Sequence, residues 1–144
     1  MSSVERSIEI KALPERVWEM LAIDKWPEWM DGWKNAEYTS EVRKPKDKYK
    51  VGALAHITEL NTRYDFKITE SLENEKIAFL SKGKGVGLTM TITYILEPLE
   101  MGTKLTYAMD YEPPWGILGK ALGKLTAGRI VERELKKLKG ILEK

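Results

Sequence analysis

Few residues in this chain can do chemistry. Its single histidine is His56, and cysteine is absent. A zinc site needs three or four nitrogen or sulfur ligands, or carboxylates in a tight cluster. Here the carboxylates are scattered over strand exteriors and loops, so neither a metal nor another cofactor is expected. A nucleophile–histidine–acid triad would have only His56 to use. Three kinds of acid–base group remain as candidates: His56, Glu59 and a tyrosine facing a cavity. No residue is assigned a catalytic role.

Other sequence features narrow the class. Without cysteine there is no disulfide-built extracellular scaffold. The formal net charge of +2 is too small to argue for nucleic acid. Gly83-Lys84-Gly85-Val86-Gly87 looks superficially like a phosphate loop, but it lacks the strand-to-helix context and the Gly-Lys-Ser/Thr ending, so a hairpin connection is expected. Arg43, Lys44, Lys46, Lys48 and Lys50 make one basic patch, and Lys136, Lys137 and Lys139 a second. Such runs read as solvated surface, with anionic membrane or RNA contact as the sharper alternative; only Tyr49 could serve as an aromatic platform among the first group. No N-terminal signal pattern and no membrane-length apolar run is present, so the expected location is cytoplasmic, with no integral membrane segment. The length of 144 residues suits one domain, 1–144.

The elements that must position these groups are legible from periodicity. Between Pro114 and Glu143, Ile117, Ala121, Gly128, Val131, Leu135, Leu138 and Leu142 recur at steps of three, four and seven, the apolar face of a long helix. Leu118, Leu122 and Leu125 widen that face. Gly119, Gly123 and Gly128 each cost about 1 kcal/mol relative to alanine. They serve either close approach to the sheet or a segment softened to admit a ligand. At the other end, Ser3–Lys11 alternates as a strand. Pro14 opens a helix to about Ile23, with Val17, Trp18, Leu21 and Ala22 on its apolar face. Short proline-broken turns then bring Trp26, Trp29 and Trp33 under the sheet, as core or with one of them lining a pocket.

From Asn35 the period is two. The expected strands are Asn35–Arg43, Ala53–Leu60, Arg63–Glu70, Lys76–Ser81, Leu88–Leu96 and Lys104–Tyr111. The connectors carry Pro45, Gly52, Asn61-Thr62, Asn74, Gly83 with Gly85, and Gly102. Connections this short imply an antiparallel meander. An even-length turn at Asn61-Thr62 puts Ile57 on the same face as Phe66, and Ala55 with Ile68. Ala53, Ala55 and Glu59 then face inward and His56 points outward beside Lys67; a three-residue turn with a bulge would reverse this. Each later strand has one apolar and one polar face. The apolar faces supply the expected ligand-binding wall: Tyr64, Phe66, Met90, Tyr94, Tyr107, Met109 and Tyr111, with Leu118, Leu122 and Leu125 as the lid.

The order of elements, with Ile8–Val17-Trp18, Trp26-Pro27-Glu28-Trp29, Gly52, Gly102-Thr103 and Arg129–Glu132–Leu135, resembles the START-like (SRPBCC) superfamily, in its polyketide cyclase/dehydrase-like branch. The resemblance implies an α+β helix-grip fold. A curved seven-stranded antiparallel sheet would wrap around the C-terminal helix, with two short helices between strands 1 and 2 and a cavity between sheet and helix. Members are similar in binding lipids, sterols, quinones, polyketides or plant hormones; some are enzymes and many only carry or sense a ligand.

Three functions stay open on this reading. The first is a carrier or sensor of a lipid, quinone or polyketide-like molecule. The second is a cyclase- or dehydratase-type enzyme. The third is an interaction module touching a membrane or ribosome through its basic surface. The first is favoured, because no convergent set of titratable residues is visible. The oligomeric state is not legible.

Overall fold

The computed structural model of the chain describes residues 2–30, 33–59, 62–83, 89–112 and 116–144; for residues 2, 59, 62, 83 and 116–125 it describes the backbone alone. Strand β1 (Ser2–Ile10) leads into helix α1 (Pro14–Met20), a 3-10 turn (Ile23–Lys25) and the one-turn helix α2 (Trp26–Trp29). Then follow β2 (Lys34–Tyr38), a second 3-10 turn (Pro45–Lys48), β3 (Leu54–Glu59), β4 (Thr62–Leu72), β5 (Lys76–Gly83), β6 (Thr89–Leu99) and β7 (Gly102–Glu112). The chain ends in α3 (Gly116–Leu142).

Among the described residues seven strands form one antiparallel sheet in the order β1-β7-β6-β5-β4-β3-β2. Strands two to seven are a meander, so every neighbour is a hairpin partner except β1, which closes onto β7. The first two strands therefore sit at opposite edges. The segment between them crosses the inner face, which is why α1 and α2 lie under the sheet. The architecture is the α+β helix-grip fold expected from the sequence.

Local chemistry explains where the elements stop. Helix α1 ends at Met20 rather than Ile23. The last carbonyls of a helix have no partner within it. Here the Met20 carbonyl accepts the Trp29 indole N–H at 2.8 Å and the adjoining Leu21 carbonyl accepts that of Trp26 at 2.9 Å. The two tryptophans thus fold back and end the helix. Strand β2 stops at Tyr38, short of the expected Arg43. Beyond it the Ser40 hydroxyl takes the Leu54 N–H at 2.9 Å. Asp47 then accepts the N–H groups of Arg43 and Lys44 at 2.9 and 3.1 Å, curling the chain into the second 3-10 turn. Gly52, at φ +92°, makes the turn into β3 in a conformation that favours glycine.

The β3–β4 ladder pairs Glu59 with Thr62, Ile57 with Tyr64, His56 with Asp65 and Ala55 with Phe66. The faces are as expected, but the register lies two residues from the expected one, and Thr62, expected in the turn, is already paired in β4. His56 stands opposite Asp65, not Lys67. Ala53, Ala55 and Ile57 are buried, and His56 is on the outer face with its Nε2 3.5 Å from Glu37 Oε2 on β2. The strands flanking residues 84–88 pair antiparallel, Lys82 with Thr89, while the glycine-rich stretch between them lies outside the described residues.

The core lies between the inner face and the helices. Trp26 is fully buried, edge-on to Phe66 at 5.0 Å, Phe79 at 4.9 Å and Tyr94 at 6.4 Å. The second half of α3 buries Val131, Leu135, Leu138 and Leu142. Its end is tied to β1, where Lys139 Nζ donates to the Glu9 carbonyl at 2.7 Å and Glu143 accepts the Lys11 N–H at 2.8 Å. At Gly128 an added Cβ would lie 2.9 Å from the Arg6 guanidinium, so this glycine makes room for a side chain crossing from β1.

Candidate functional site

The expected wall residues come together. Tyr64 and Phe66 on β4, Met90 and Tyr94 on β6, and Tyr107, Met109 and Tyr111 on β7 alternate with outward residues and share the inner face. Cross-strand pairing places Met90 beside Tyr111 and Tyr94 beside Tyr107, with Met109 level with Ile92. Six of the seven are buried, whereas Met109 stays partly exposed between buried Tyr107 and Tyr111. Trp33 stacks on Tyr64 with ring centres 5.4 Å apart. The side chains of Leu118, Leu122, Leu125 and Glu59 lie outside what is described, as do the surroundings of Gly119 and Gly123.

One functional group was missed in the sequence. Glu134 of α3 is only 2% exposed, and its Oε1 accepts a hydrogen bond from the Tyr107 hydroxyl at 3.1 Å. The signal was present: Glu134 lies three residues after Val131 and four before Leu138, on the stripe that faces the sheet. Tyr94 packs edge-on against Tyr107 at 4.8 Å, and Trp29 covers both at 5.9 and 6.4 Å. The Tyr94 hydroxyl neighbours that of Tyr107 without completing a hydrogen bond of good geometry. Ser81, between Phe66 and Met90 in the ladders, also buries a hydroxyl with no hydrogen-bond partner. Leaving a buried hydroxyl unpaired costs about 1–3 kcal/mol. An apolar interior carrying a few converging polar groups is what a small-molecule site needs.

Burial holds the Tyr94 and Tyr107 hydroxyls well above the ordinary tyrosine range, and the negative charge of Glu134 adds to it. Both phenols are therefore protonated hydrogen-bonding groups rather than bases. Raised folded-state values give stability that is whole below the unfolded tyrosine value and lost as pH climbs past it. Tyr94 and Tyr107 should ionise only together with unfolding, which should begin above about pH 10. Phenolate absorbance and circular dichroism, followed through one alkaline titration, check this. Full ionisation of all tyrosines with the fold intact would contradict it.

A recess away from this face is superficial. Trp18 and Tyr49, stacked at 5.1 Å, floor a cleft of about 200 Å³ with Lys46, Lys50, Ser71 and Glu73 around it. Asp24 pairs with Lys48 at 2.6 Å, and burial pushes the Tyr49 hydroxyl up to about 12. Among the described residues no group of histidine and carboxylate side chains could hold a metal ion, and no helix is long and apolar enough to cross a membrane.

An antiparallel sheet gripping a long C-terminal helix, with tyrosines and one carboxylate between them, defines a START-like helix-grip protein. The chain belongs to the family described as polyketide cyclase / dehydrase and lipid transport, which it matches over residues 1–143. No curated protein matches it significantly. Among solved structures it is similar to a START superfamily protein from Mycobacterium smegmatis, at 18% identity and a TM-score of 0.82, covering 99% of this chain and 98% of that one. It is also similar to the Aha1 dimer from Colwellia psychrerythraea, at 21% identity and a TM-score of 0.72, covering 99% and 97%. DynU16, from the dynemicin biosynthetic locus, matches at 16% identity and a TM-score of 0.66, covering 99% of this chain and 49% of its own. At these identities the likeness establishes the fold.

Proposed function

We propose that the chain acts as a single domain that binds a hydrophobic small molecule, lipid-, quinone- or polyketide-like, between the sheet and α3, as a carrier or sensor. The observation that carries this reading is the pair of buried, unpartnered hydroxyls, Tyr94 and Ser81, on an otherwise apolar inner face. The partial exposure of Met109 on that face marks the side from which a ligand would be reached. The ligand-binding residues are Tyr64, Phe66, Met90, Tyr94, Tyr107, Met109 and Tyr111, with Leu118, Leu122 and Leu125 as the lid. The family's lipid-transport description supports a ligand of this class.

An environment-sensitive apolar dye should bind the native protein and be displaced by long-chain lipids or quinones. Met109→Trp adds bulk at the half-exposed position. It should weaken dye binding about tenfold, equivalent to about 1.4 kcal/mol, while the melting temperature moves little. Unchanged dye affinity would remove Met109 from the site.

The Glu134–Tyr107 pair favours one second reading, a cyclase- or dehydratase-type enzyme in which a buried carboxylate moves a proton. Native mass spectrometry followed by organic extraction separates the two. A co-purifying lipid or quinone supports the carrier; an empty protein with cyclase turnover supports the enzyme.

A further inference from the structure

We propose that one corner of the fold, built from the β2–β3 connection and the β4–β5 turn, docks on an anionic phospholipid membrane. This docking is independent of any ligand bound between the sheet and α3. The corner lies where β4 stops and β7 starts, whereas Met109 is near the finish of β7.

Residues 42–51 carry five cations, Arg43, Lys44, Lys46, Lys48 and Lys50, against one carboxylate, Asp47. Arg43 pairs with Glu41 and Lys48 with Asp24, while Lys46 is exposed and makes no ion pair among the described residues. Apolar side chains sit among these charges: Val51 is 59% exposed, Leu72 53% and Leu54 45%. Backbone hydrogen bonds gather them. The Gly52 N–H donates to the Ile68 carbonyl at 2.8 Å and the Ala53 N–H to the Lys50 carbonyl at 3.0 Å, tying the Val51 turn to β4. The Thr39 N–H donates to the Leu54 carbonyl at 2.8 Å, bringing in the end of β2. Single exposed apolar residues are ordinary on any protein. Apolar tips grouped with cations suit a membrane interface, where the tips enter the acyl boundary and the cations meet anionic head groups.

The cleft at the same corner fits a head group. Ser71 and Glu73, on either side of Leu72, share it with Lys46, Lys50, Trp18 and Tyr49. Its volume of about 200 Å³ suits a small polar group rather than a lipid chain. Lys46, Lys50 and the Ser71 hydroxyl can donate to a phosphate, and Glu73 can accept from an ammonium. The Tyr49 ring is held by its stack on Trp18, and its hydroxyl donates to the Glu19 carbonyl at 3.2 Å. Tyrosine is at home at head-group depth, with an apolar body and a polar tip. RNA fits the corner less well. It needs open aromatic faces for its bases, but Trp18 is buried under Tyr49, and RNA offers nothing to the exposed Val51 and Leu72.

The test is cosedimentation of the full chain with vesicles of phosphatidylcholine, alone or with about one-third phosphatidylserine, at physiological ionic strength. The protein should bind the anionic vesicles at least about tenfold more tightly than the neutral ones. Lys46→Glu/Lys50→Glu should weaken that binding at least about tenfold. Lys34→Glu/Lys136→Glu reverses two exposed charges outside the corner and should leave it within about threefold. Val51→Ser/Leu72→Ser removes two apolar tips without altering charge and should also weaken it about tenfold. Thermal melts establish that each variant is folded. Failure of the wild-type protein to bind anionic vesicles overturns the proposal, and this arm needs no variant. Equal losses in the two charge-reversed proteins would show attraction by net charge alone and overturn it as well. Unchanged binding by the serine variant, or tighter binding to an RNA oligonucleotide than to the vesicles, would do the same.

Discussion

Trp26→Ala is expected to destabilise the fold by about 3–5 kcal/mol, the range for removing a large aromatic from a packed core. Trp26 is fully buried. It is the ring on which the inner face converges, with Phe66, Phe79, Tyr94 and Trp33 all within 6.4 Å edge-on. Its indole N–H also ends α1 through the Leu21 carbonyl. Small domains hold only about 5–15 kcal/mol in total, so this one change takes a large share. Urea unfolding monitored by circular dichroism measures it. Trp26→Phe keeps most of the apolar volume and loses the indole donor, and should cost less than half as much. A loss below about 1.5 kcal/mol for the alanine variant would be too small for a closed core. It would mean that Trp26 borders open space and is part of the pocket wall instead.

That choice between core and wall is where the sequence ran out. Three tryptophans within eight residues after a proline-broken helix announced a large apolar mass. Which ring meets which strand depended on how the segment between β1 and β2 crosses the sheet, and no local pattern encodes that path. The strand faces were legible because the side-chain period is two. Tyr64, Phe66, Met90, Tyr94, Tyr107, Met109 and Tyr111 were all assigned to one side by alternation alone. The β3–β4 register was legible only to within two residues: a shift of two keeps every face and changes every partner, so periodicity cannot detect it. Glu134 was overlooked for a different reason. A glutamate in a lysine- and glutamate-rich helix reads as solvent-facing by composition. Its spacing from Val131 and Leu138 places it inward all the same. Spacing was the better guide, because backbone geometry fixes the face before chemistry has any say.

Gly102→Ala should be the most damaging glycine substitution among the described residues, about 3 kcal/mol or more. The sequence marks Gly102 only as a turn residue ahead of the last strand. The structure gives a stricter reason. A Cβ at this position would run into the carbonyl oxygen of Ile10 and lie 3.1 Å from the Ile10 carbonyl carbon and the Lys11 Cα. All three are backbone atoms, so no side-chain rotation relieves the overlap. The β6–β7 hairpin would have to lift from the end of β1. That would open the Ile10–Thr103 pairing and strain the hydrogen bond from the buried Thr103 hydroxyl to the Ala12 carbonyl, 2.7 Å long. A buried hydroxyl and carbonyl parted this way lose their partners without gaining water. Gly140 supplies the internal control, since nothing lies within 4 Å of a Cβ built there on the exposed side of α3. Gly140→Ala should therefore stabilise the protein by about 0.5–1 kcal/mol through helix propensity alone. The same chemical change is thus predicted to have opposite signs at two positions, and paired thermal melts read both. For a chain of this size about 1 kcal/mol moves the midpoint by roughly 2–4 °C or slightly more, so the two variants should be separated by more than about 7 °C. Should Gly102→Ala melt with the wild type, the edge formed by β1 is looser than its pairing with β7 implies. The helix-grip sheet would then depend on the six-strand meander, with β1 as an addition to it.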